Sequence, residues 1–273
     1  MSIKSIILSM IFKMYRMIFV RKFFVKFNKI LYRLSLNGIG ILNFQNSKIS
    51  GEKYFLTRCL KDKRVKVIFD IGANEGNYSK KIMELNPNVE LFAFEPHPKT
   101  FKKLQKVAGE FSFNAFNVGV GDKNETLKIY DYKDKDGSTH ASIYKGVIEK
   151  IHKKESIAHK VTIIKLDDFT KEHKVNKIDL LKIDTEGNEL NILMGATELI
   201  KNNKIDIIHF EFNEMNVFSR VFFKDFYELL TNYDFFRMLP DGFICLGEYN
   251  PIFYEIYAYQ NIVAIRKDIE NIF

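Results

Sequence analysis

Cysteine is scarce in this sequence. Its two copies, Cys59 and Cys245, stand far apart and form neither a metal-ligand nor a redox spacing. That excludes a scaffold stapled by zinc or disulfides and fits a reducing cytosol. Proline is also sparse, with five copies, and no Pro-rich linker, low-complexity tract or internal repeat divides the chain. No charge-free apolar run reaches the ~18 residues of a spanning helix. No small-residue cleavage site follows the first apolar run, so a secretory leader is not expected. Acid is missing altogether from residues 1–50, where nine bases stand: Lys4, Lys13, Arg16, Arg21, Lys22, Lys26, Lys29, Arg33 and Lys48. The whole chain carries +8, so this arm holds the entire excess and residues 51–273 are nearly neutral. A near-neutral core argues against a broad nucleic-acid-binding face, and no nucleic-acid partner is expected.

What is present is ordinary for a globular protein: 273 residues, 46% hydrophobic and 28% charged. That length suits one α/β domain with an extension. The expected division is a basic amphipathic helical extension over residues 1–50 and a domain over 51–273. In the extension, Ser5, Ser9, Lys13 and Arg16 form one polar stripe at helical spacing, and Lys22, Lys26, Lys29 and Arg33 form another. On one continuous helix the stripes would point to different sides. Two helices with a bend near Val20–Arg21 resolve the conflict. Such a pair, greasy on one side and basic on the other, suits the interface of an anionic membrane through residues 1–36, with the protein peripheral at its inner face. The competing reading is a cap on the core or a dimer contact.

From residue 65 strands and helices alternate. "VKVIFDI", "VELFAFE" and "FSFNAFNVGV" read as strands, with helices "NYSKKIMEL" and "HPKTFKKLQKV" between them. Repeated strand–helix–strand units predict a parallel sheet covered on both faces. Residues 121–177 interrupt this rhythm with two extra strands, "ETLKIYDY" and "KVTIIKLDDF", around a polar stretch. The insertion is expected to shape an acceptor site. The alternation then resumes through "KIDLLKID", "ELNILMGATELIKNN", "KIDIIHFEF" and "FKDFYELLTNY", and "EIYAYQNIVAIRK" closes as an antiparallel strand.

The chemistry concentrates at strand ends. "FDIGANEGNYS" lies where the first strand meets the first helix, the ligand crevice of doubly wound folds. Gly72 and Gly76 permit a tight turn and close approach there. Their spacing is G-x-x-x-G, without the third glycine of a dinucleotide fingerprint and without a Walker lysine. Glu95 ends the second strand, 19 residues after Gly76, where a carboxylate accepts from ribose hydroxyls. The alternative for Glu95 is a cap on the following helix. Together Asp70, Gly72, Gly76 and Glu95 point to a nucleoside cofactor that needs no pyrophosphate site. S-adenosylmethionine (SAM) fits, and NAD competes.

"FDIGANEGNYS", "FAFEPHPKTFKKL", "NVGVGD" and "IDLLKIDTEGNELNILMGA" follow one another in the order and spacing of the FkbM family of SAM-dependent methyltransferases, which this chain resembles over roughly residues 65–215. The resemblance implies a class I methyltransferase fold: α/β, Rossmann-like, a doubly wound sheet that is mostly parallel with an antiparallel last strand. It also implies O-methylation, often of sugar hydroxyls. Carried onto this chain, Gly72, Ala73, Asn74 and Gly76 would line the methionine end of SAM, with Asp70 orienting that turn. Glu95 would hold the ribose, Val120 would lie against the adenine and Asp122 near its amino group.

Asp184 and Glu186 follow the fourth strand, beside the expected methyl group, and Glu211 and Asn213 end the fifth. Such carboxylates position or deprotonate an acceptor hydroxyl. Asp184, Glu186 and Glu211 are also candidates for a divalent cation. His140 is a candidate general base, and Ser138, Thr139 and Ser142 beside it are candidates to bind a sugar. The other histidines have no convergent partners in sequence and are taken as structural. Asp184-Thr185-Glu186-Gly187 replaces the tetrad typical of amine methylation, and neither cysteine follows a proline as in cytosine-C5 enzymes. The expected reaction is therefore methyl transfer from SAM to a hydroxyl of a sugar in a surface glycan or glycolipid. Two alternatives stand beside it: an NAD-dependent sugar-modifying oxidoreductase, and a non-catalytic membrane-docked binding module.

Overall fold

The computed structural model describes residues 3–138 and 141–269. The arm is two helices, α1 (Ile3–Phe19) and α2 (Val25–Gly38), with a 3-10 turn at Lys22–Phe24 between them. The break falls where the two polar stripes demand it. An aromatic joint holds the elbow: the Phe19 ring lies 5.1 Å from Phe24 and 5.5 Å from Phe27. Tyr15 donates its hydroxyl to Asn28, whose amide donates to Phe19 O at 3.0 Å. No residue of α1 is buried. Burial begins at Leu36, and Ile41 is fully buried and bridges to Gln260. The domain thus starts before residue 50, because the end of α2 already packs on it. Among the described residues, no helix is long and apolar enough to cross a membrane.

The strands are β1 (Val67–Ile71), β2 (Glu90–Phe94), β3 (Asn114–Phe116), β4 (Gly119–Val120), β5 (Glu125–Tyr132), β6 (Ser156–Ile164), β7 (Ile178–Ile183), β8 (Ile205–Phe212), β9 (Tyr233–Leu239), β10 (Gly242–Cys245) and β11 (Gln260–Arg266). The helices of the domain are α3 (Glu52–Cys59), α4 (Asn77–Leu85), α5 (Pro98–Phe111), α6 (Leu166–Glu172), α7 (Glu189–Met194), α8 (Thr197–Lys201), α9 (Met215–Ser219), α10 (Phe223–Leu229) and α11 (Pro251–Tyr254). Eight strands form the main sheet in the order β10-β9-β11-β8-β7-β1-β2-β3. The run from β3 to β8 is parallel, and β11 enters antiparallel between β8 and β9. This is the class I methyltransferase sheet with β10 added at one edge.

Alternation along the strands builds two cores. Phe69, Leu181 and Ile208 face one layer, and Ile68, Leu180 and Ile207 face the other. Each such side chain contributes about 1.5–3 kcal/mol on burial. On the second face the pattern admits three polar residues in adjacent register, Asp70, Lys182 and His209. All three are buried.

Three sequence expectations change. The third strand splits at Asn117–Val118: β3 stays in the main sheet, while β4 leaves it to pair with β6. With β5, these make a separate sheet ordered β4-β6-β5. "LDDF" starts α6 rather than continuing a strand, and "ELNILMGATELIKNN" breaks into α7 and α8.

Candidate active site

A cavity of about 290 Å³ opens at the C-terminal ends of β1, β2 and β7. That is close to the lower end, about 300 Å³, of the range for small-molecule sites. Its floor is main chain at Gly72, Ala73 and Asn74. Gly72 has φ +78°, and a Cβ there would stand 1.9 Å from the Asp184 carbonyl. What excludes a side chain at this glycine is therefore the protein's own next strand. Gly76 does not line the cavity. It enters α4 at φ +87°, and a Cβ would meet Leu104 Cδ1 at 3.0 Å. Its role is to let α4 approach α5.

Glu95 holds the opposite wall. One carboxylate oxygen accepts from Asn74 N at 2.9 Å and the other from His97 N at 2.7 Å. Burial raises its pKa to about 7. The cap on α5 is His97 instead, whose Nδ1 accepts from Lys99 N and Thr100 N. Asp70 lies deeper, accepting from Ser79 Oγ at 2.6 Å, and burial raises its pKa to about 6. It ties β1 to the helix that follows.

The insertion closes over this wall at two points. Asn74 Nδ2 donates to Ser138 O at 3.3 Å, and Ser142 Oγ donates to Glu186 O at 2.9 Å. Ser138 and Ser142 both line the cavity. Asp131 secures the first contact, accepting from Gly137 N at 2.7 Å, from Ser138 N at 2.8 Å and from the Ser138 hydroxyl. Thr139 and His140 lie outside the described residues.

On the rim, Asp184 and Glu186 line the cavity, and the Asp184 side chain is 42% exposed. Glu189 shapes their turn by accepting from Thr185 N, Thr185 Oγ1 and Gly187 N at 3.0–3.1 Å. Burial raises its pKa to about 7. Glu186 takes a left-handed φ of +54°, a conformation that costs energy for a residue with a Cβ.

Sequence reasoning missed Lys182. It is buried yet lines the cavity, with Nζ 3.3 Å from Asp184 Oδ2 and 5.6 Å from the centre of the Tyr78 ring. Burial opposes its charge, but Asp184, Glu211, Glu52 and Asp70 outweigh burial and push its pKa up. Tyr78 donates toward His209 Nδ1 at 3.1 Å, and His209 Nε2 contacts Asn261 Oδ1 at 3.0 Å. Burial first, then Lys182, holds His209 neutral. The available signal was polarity inside strands that otherwise read as apolar.

Besides Gly76, three expected residues stand off the cavity. Asp122 lies 3.7 Å from Lys123, and its place beside Val120 is taken by Asn188, which donates to Val120 O at 3.0 Å. Asn213 caps the turn into α9, accepting from Met215 N at 2.9 Å. Glu211 takes Asn213 Nδ2 at 3.4 Å, and burial raises its pKa strongly. Asp184, Glu186 and Glu211 do not assemble as metal ligands. Among the described residues, the one group of three with ligand spacing is His97, Asp136 and His159.

That group corrects the expectation that the histidines lack partners. His97 Nε2 and His159 Nε2 approach Asp136 Oδ1 at 2.9 and 2.7 Å, while Lys99 Nζ takes Oδ2 at 2.6 Å. Because His97 Nδ1 accepts from main chain, Nε2 carries the proton and donates. The cluster is a hydrogen-bonded strap that ties the start of α5 to two parts of the insertion, β6 and the segment between β5 and β6. Its three cationic or N–H donors lower the Asp136 pKa to about 2 against the opposing effect of burial.

The cavity fits the cofactor that the motifs implied. Each Glu95 oxygen has one protein partner, leaving acceptor capacity for two vicinal hydroxyls. Five carboxylates and two lysines line the space. An excess of acid suits a sulfonium and an ammonium and opposes a pyrophosphate, which counts against NAD.

The Methyltransferase FkbM domain profile matches residues 70–236. The 2-O-methyltransferase NoeI of Sinorhizobium fredii is 25% identical over 64% of this chain and 75% of its own length. The hexuronic acid methyltransferase AglP of Haloferax volcanii is 26% identical over 52% of this chain and 54% of its own. The solved precorrin-6y C5,15-methyltransferase of Geobacter metallireducens is 14% identical, with a TM-score of 0.40 over 78% of this chain and 86% of that one.

Proposed function

This chain belongs to the FkbM methyltransferase family and is a SAM-dependent methyltransferase, and from that premise we propose that its acceptor is a hydroxyl of a saccharide in a glycan or glycolipid. The observation that carries this reading is the acid-rich cavity mouth. Asp184 and Glu186 border the same space as the Glu95 wall, and hydroxyl groups need acceptors. The hydroxyl chemistry named for NoeI and the sugar acid named for AglP support it.

Bound SAM supplies an electrophilic methyl group. Glu95 would hold the ribose, the Gly72–Asn74 main chain the methionyl portion, and Val120 and Asn188 the edge of the base. Asp184, exposed at the rim, would take the proton of the acceptor hydroxyl. Ser138 and Ser142 approach from the insertion to orient the sugar. His140 remains a candidate base on sequence grounds.

The arm is proposed to lie in the interface of an anionic membrane, which would bring a lipid-borne acceptor to the enzyme. None of the described residues of α1 is buried, and each Lys or Arg near an anionic surface contributes about 1 kcal/mol. The test of the acceptor is mass spectrometry of saccharides and glycolipids after incubation with SAM. A mass gain of one methylene on the sugar is expected. Methylation confined to amines or to sugar-free phenols removes the saccharide reading.

A further inference from the structure

Outside the arm, the most exposed large apolar side chain among the described residues is Ile252, at 77%, and its neighbour Phe253 is 57% exposed. Both sit on α11, a single turn that the protein holds firmly. Asn250 caps it, accepting from Ile252 N at 3.0 Å. Tyr254 is buried beneath, its ring edge-on to Phe223 at 4.9 Å and its hydroxyl donating to Gly247 O at 2.6 Å. A loop end that anchors one aromatic while presenting two apolar side chains to solvent gains nothing in stability from those two.

The position of this turn gives it meaning. Arg237 is buried, donating from Nη2 to Phe253 O at 2.9 Å, from Nη1 to Ile39 O at 3.4 Å and from Nε to Gln260 Oε1 at 2.8 Å. Ile39 is the C-cap of α2. One guanidinium therefore clamps α11 to the root of the arm. Both precede or flank the start of β11, which pairs with the end of β8. They stand at the ligand-bearing end of the parallel strands.

We propose that Ile252 and Phe253 form a second lipid contact, which enters the anionic membrane surface engaged by the arm and turns the active-site end of the sheet toward it. This rests on the membrane reading of the arm. Two contacts fixed to one another set an orientation, where the arm alone would act only as a tether. The occupant is lipid because Arg237 clamps this turn to the root of an arm whose charge is entirely basic.

The chain has no tryptophan, so one introduced indole is a unique reporter. Ile252→Trp and, separately, Phe12→Trp in α1 are mixed as full chains with phosphatidylcholine–phosphatidylglycerol vesicles carrying brominated acyl chains. Quenching of both is expected. Quenching at position 12 without quenching at 252 overturns the wedge and keeps the arm. Quenching at neither removes the membrane reading and the wedge with it. A blue shift at 252 that depends on protein concentration without lipid assigns the patch to self-association and overturns the proposal. The paired change Ile252→Asp and Phe253→Asp weakens vesicle partitioning by about tenfold or more, with unchanged cofactor binding as the control for folding. Unchanged partitioning counts against it.

Discussion

The main-chain N–H of Asn74 donates to Oε2 of Glu95 across 2.9 Å, joining the turn after β1 to the tip of β2. The proposed cofactor wall is thus one hydrogen-bonded unit. Glu95→Ala removes both the ligand acceptor and the acceptor for two buried N–H groups. A hydrogen bond to a charged group contributes about 1.5–3 kcal/mol, so affinity for S-adenosylhomocysteine falls roughly tenfold to a hundredfold or more. Calorimetry measures it, and an unchanged dissociation constant takes Glu95 out of the site.

The raised pKa of Glu95, about 7, gives the site a pH signature. Ribose hydroxyls donate, so they bind the carboxylate and not the acid. Affinity therefore falls as pH drops below about 7, by up to tenfold per unit, and binding releases a proton in that range. Stability moves the other way. Glu95 and Glu189, both raised to about 7, and Asp70, raised to about 6, hold more protons folded than unfolded above the ordinary carboxylate range. Their contribution favours the fold at acid pH and is lost as pH rises through 6 to 7. Binding measured in buffers of different ionisation enthalpy tests the proton release, and Glu95→Gln should flatten the profile.

The glycines separate ligand space from packing. Gly72→Ala drives a Cβ into the Asp184 carbonyl at 1.9 Å, and a chain that does not fold is expected. Gly76→Ala meets the flexible end of Leu104 at 3.0 Å from a left-handed backbone, so a loss of about 1–3 kcal/mol follows. Gly109, inside α5 with nothing within 4 Å, is the control: Ala there should stabilise by about 0.5–1 kcal/mol. Thermal or urea unfolding ranks the three, and a well-folded Gly72→Ala protein would contradict the packing argument.

These glycines also show what the sequence could convey. Strand and helix periodicities are local, so the sequence placed both glycines at the turn between β1 and α4, where Gly72 lines the cavity and Gly76 does not. What presses against them was not local. Asp184 lies more than a hundred residues from Gly72, and only the β1–β7 pairing brings it near. The same holds for His97, Asp136 and His159, which come from three elements joined by the insertion. Lys182 was legible in principle, as a cation inside a run of buried aliphatics. That Glu52, Asp70 and Glu211 join Asp184 around it was not, since these three arrive from α3, β1 and β8.

Catalysis should divide from binding at Asp184. Its side chain is exposed at the rim and paired with Lys182 at 3.3 Å, and it lines the cavity without holding the Glu95 wall. Asp184→Asn keeps the shape and removes the proposed base. Turnover should fall by about 10²–10⁴, the usual contribution of a positioned acid or base, while S-adenosylhomocysteine still binds. Lys182→Met is the companion change. It strips a buried cation from among Asp184, Glu211, Glu52 and Asp70, so Asp70 and Glu211, whose charged forms Lys182 favours, gain protons more readily. Turnover should also fall in Lys182→Met, because the ammonium 3.3 Å from Asp184 Oδ2 that positions the carboxylate is gone. Full turnover in Asp184→Asn would place the base elsewhere on the rim and make Glu186 the residue to change next.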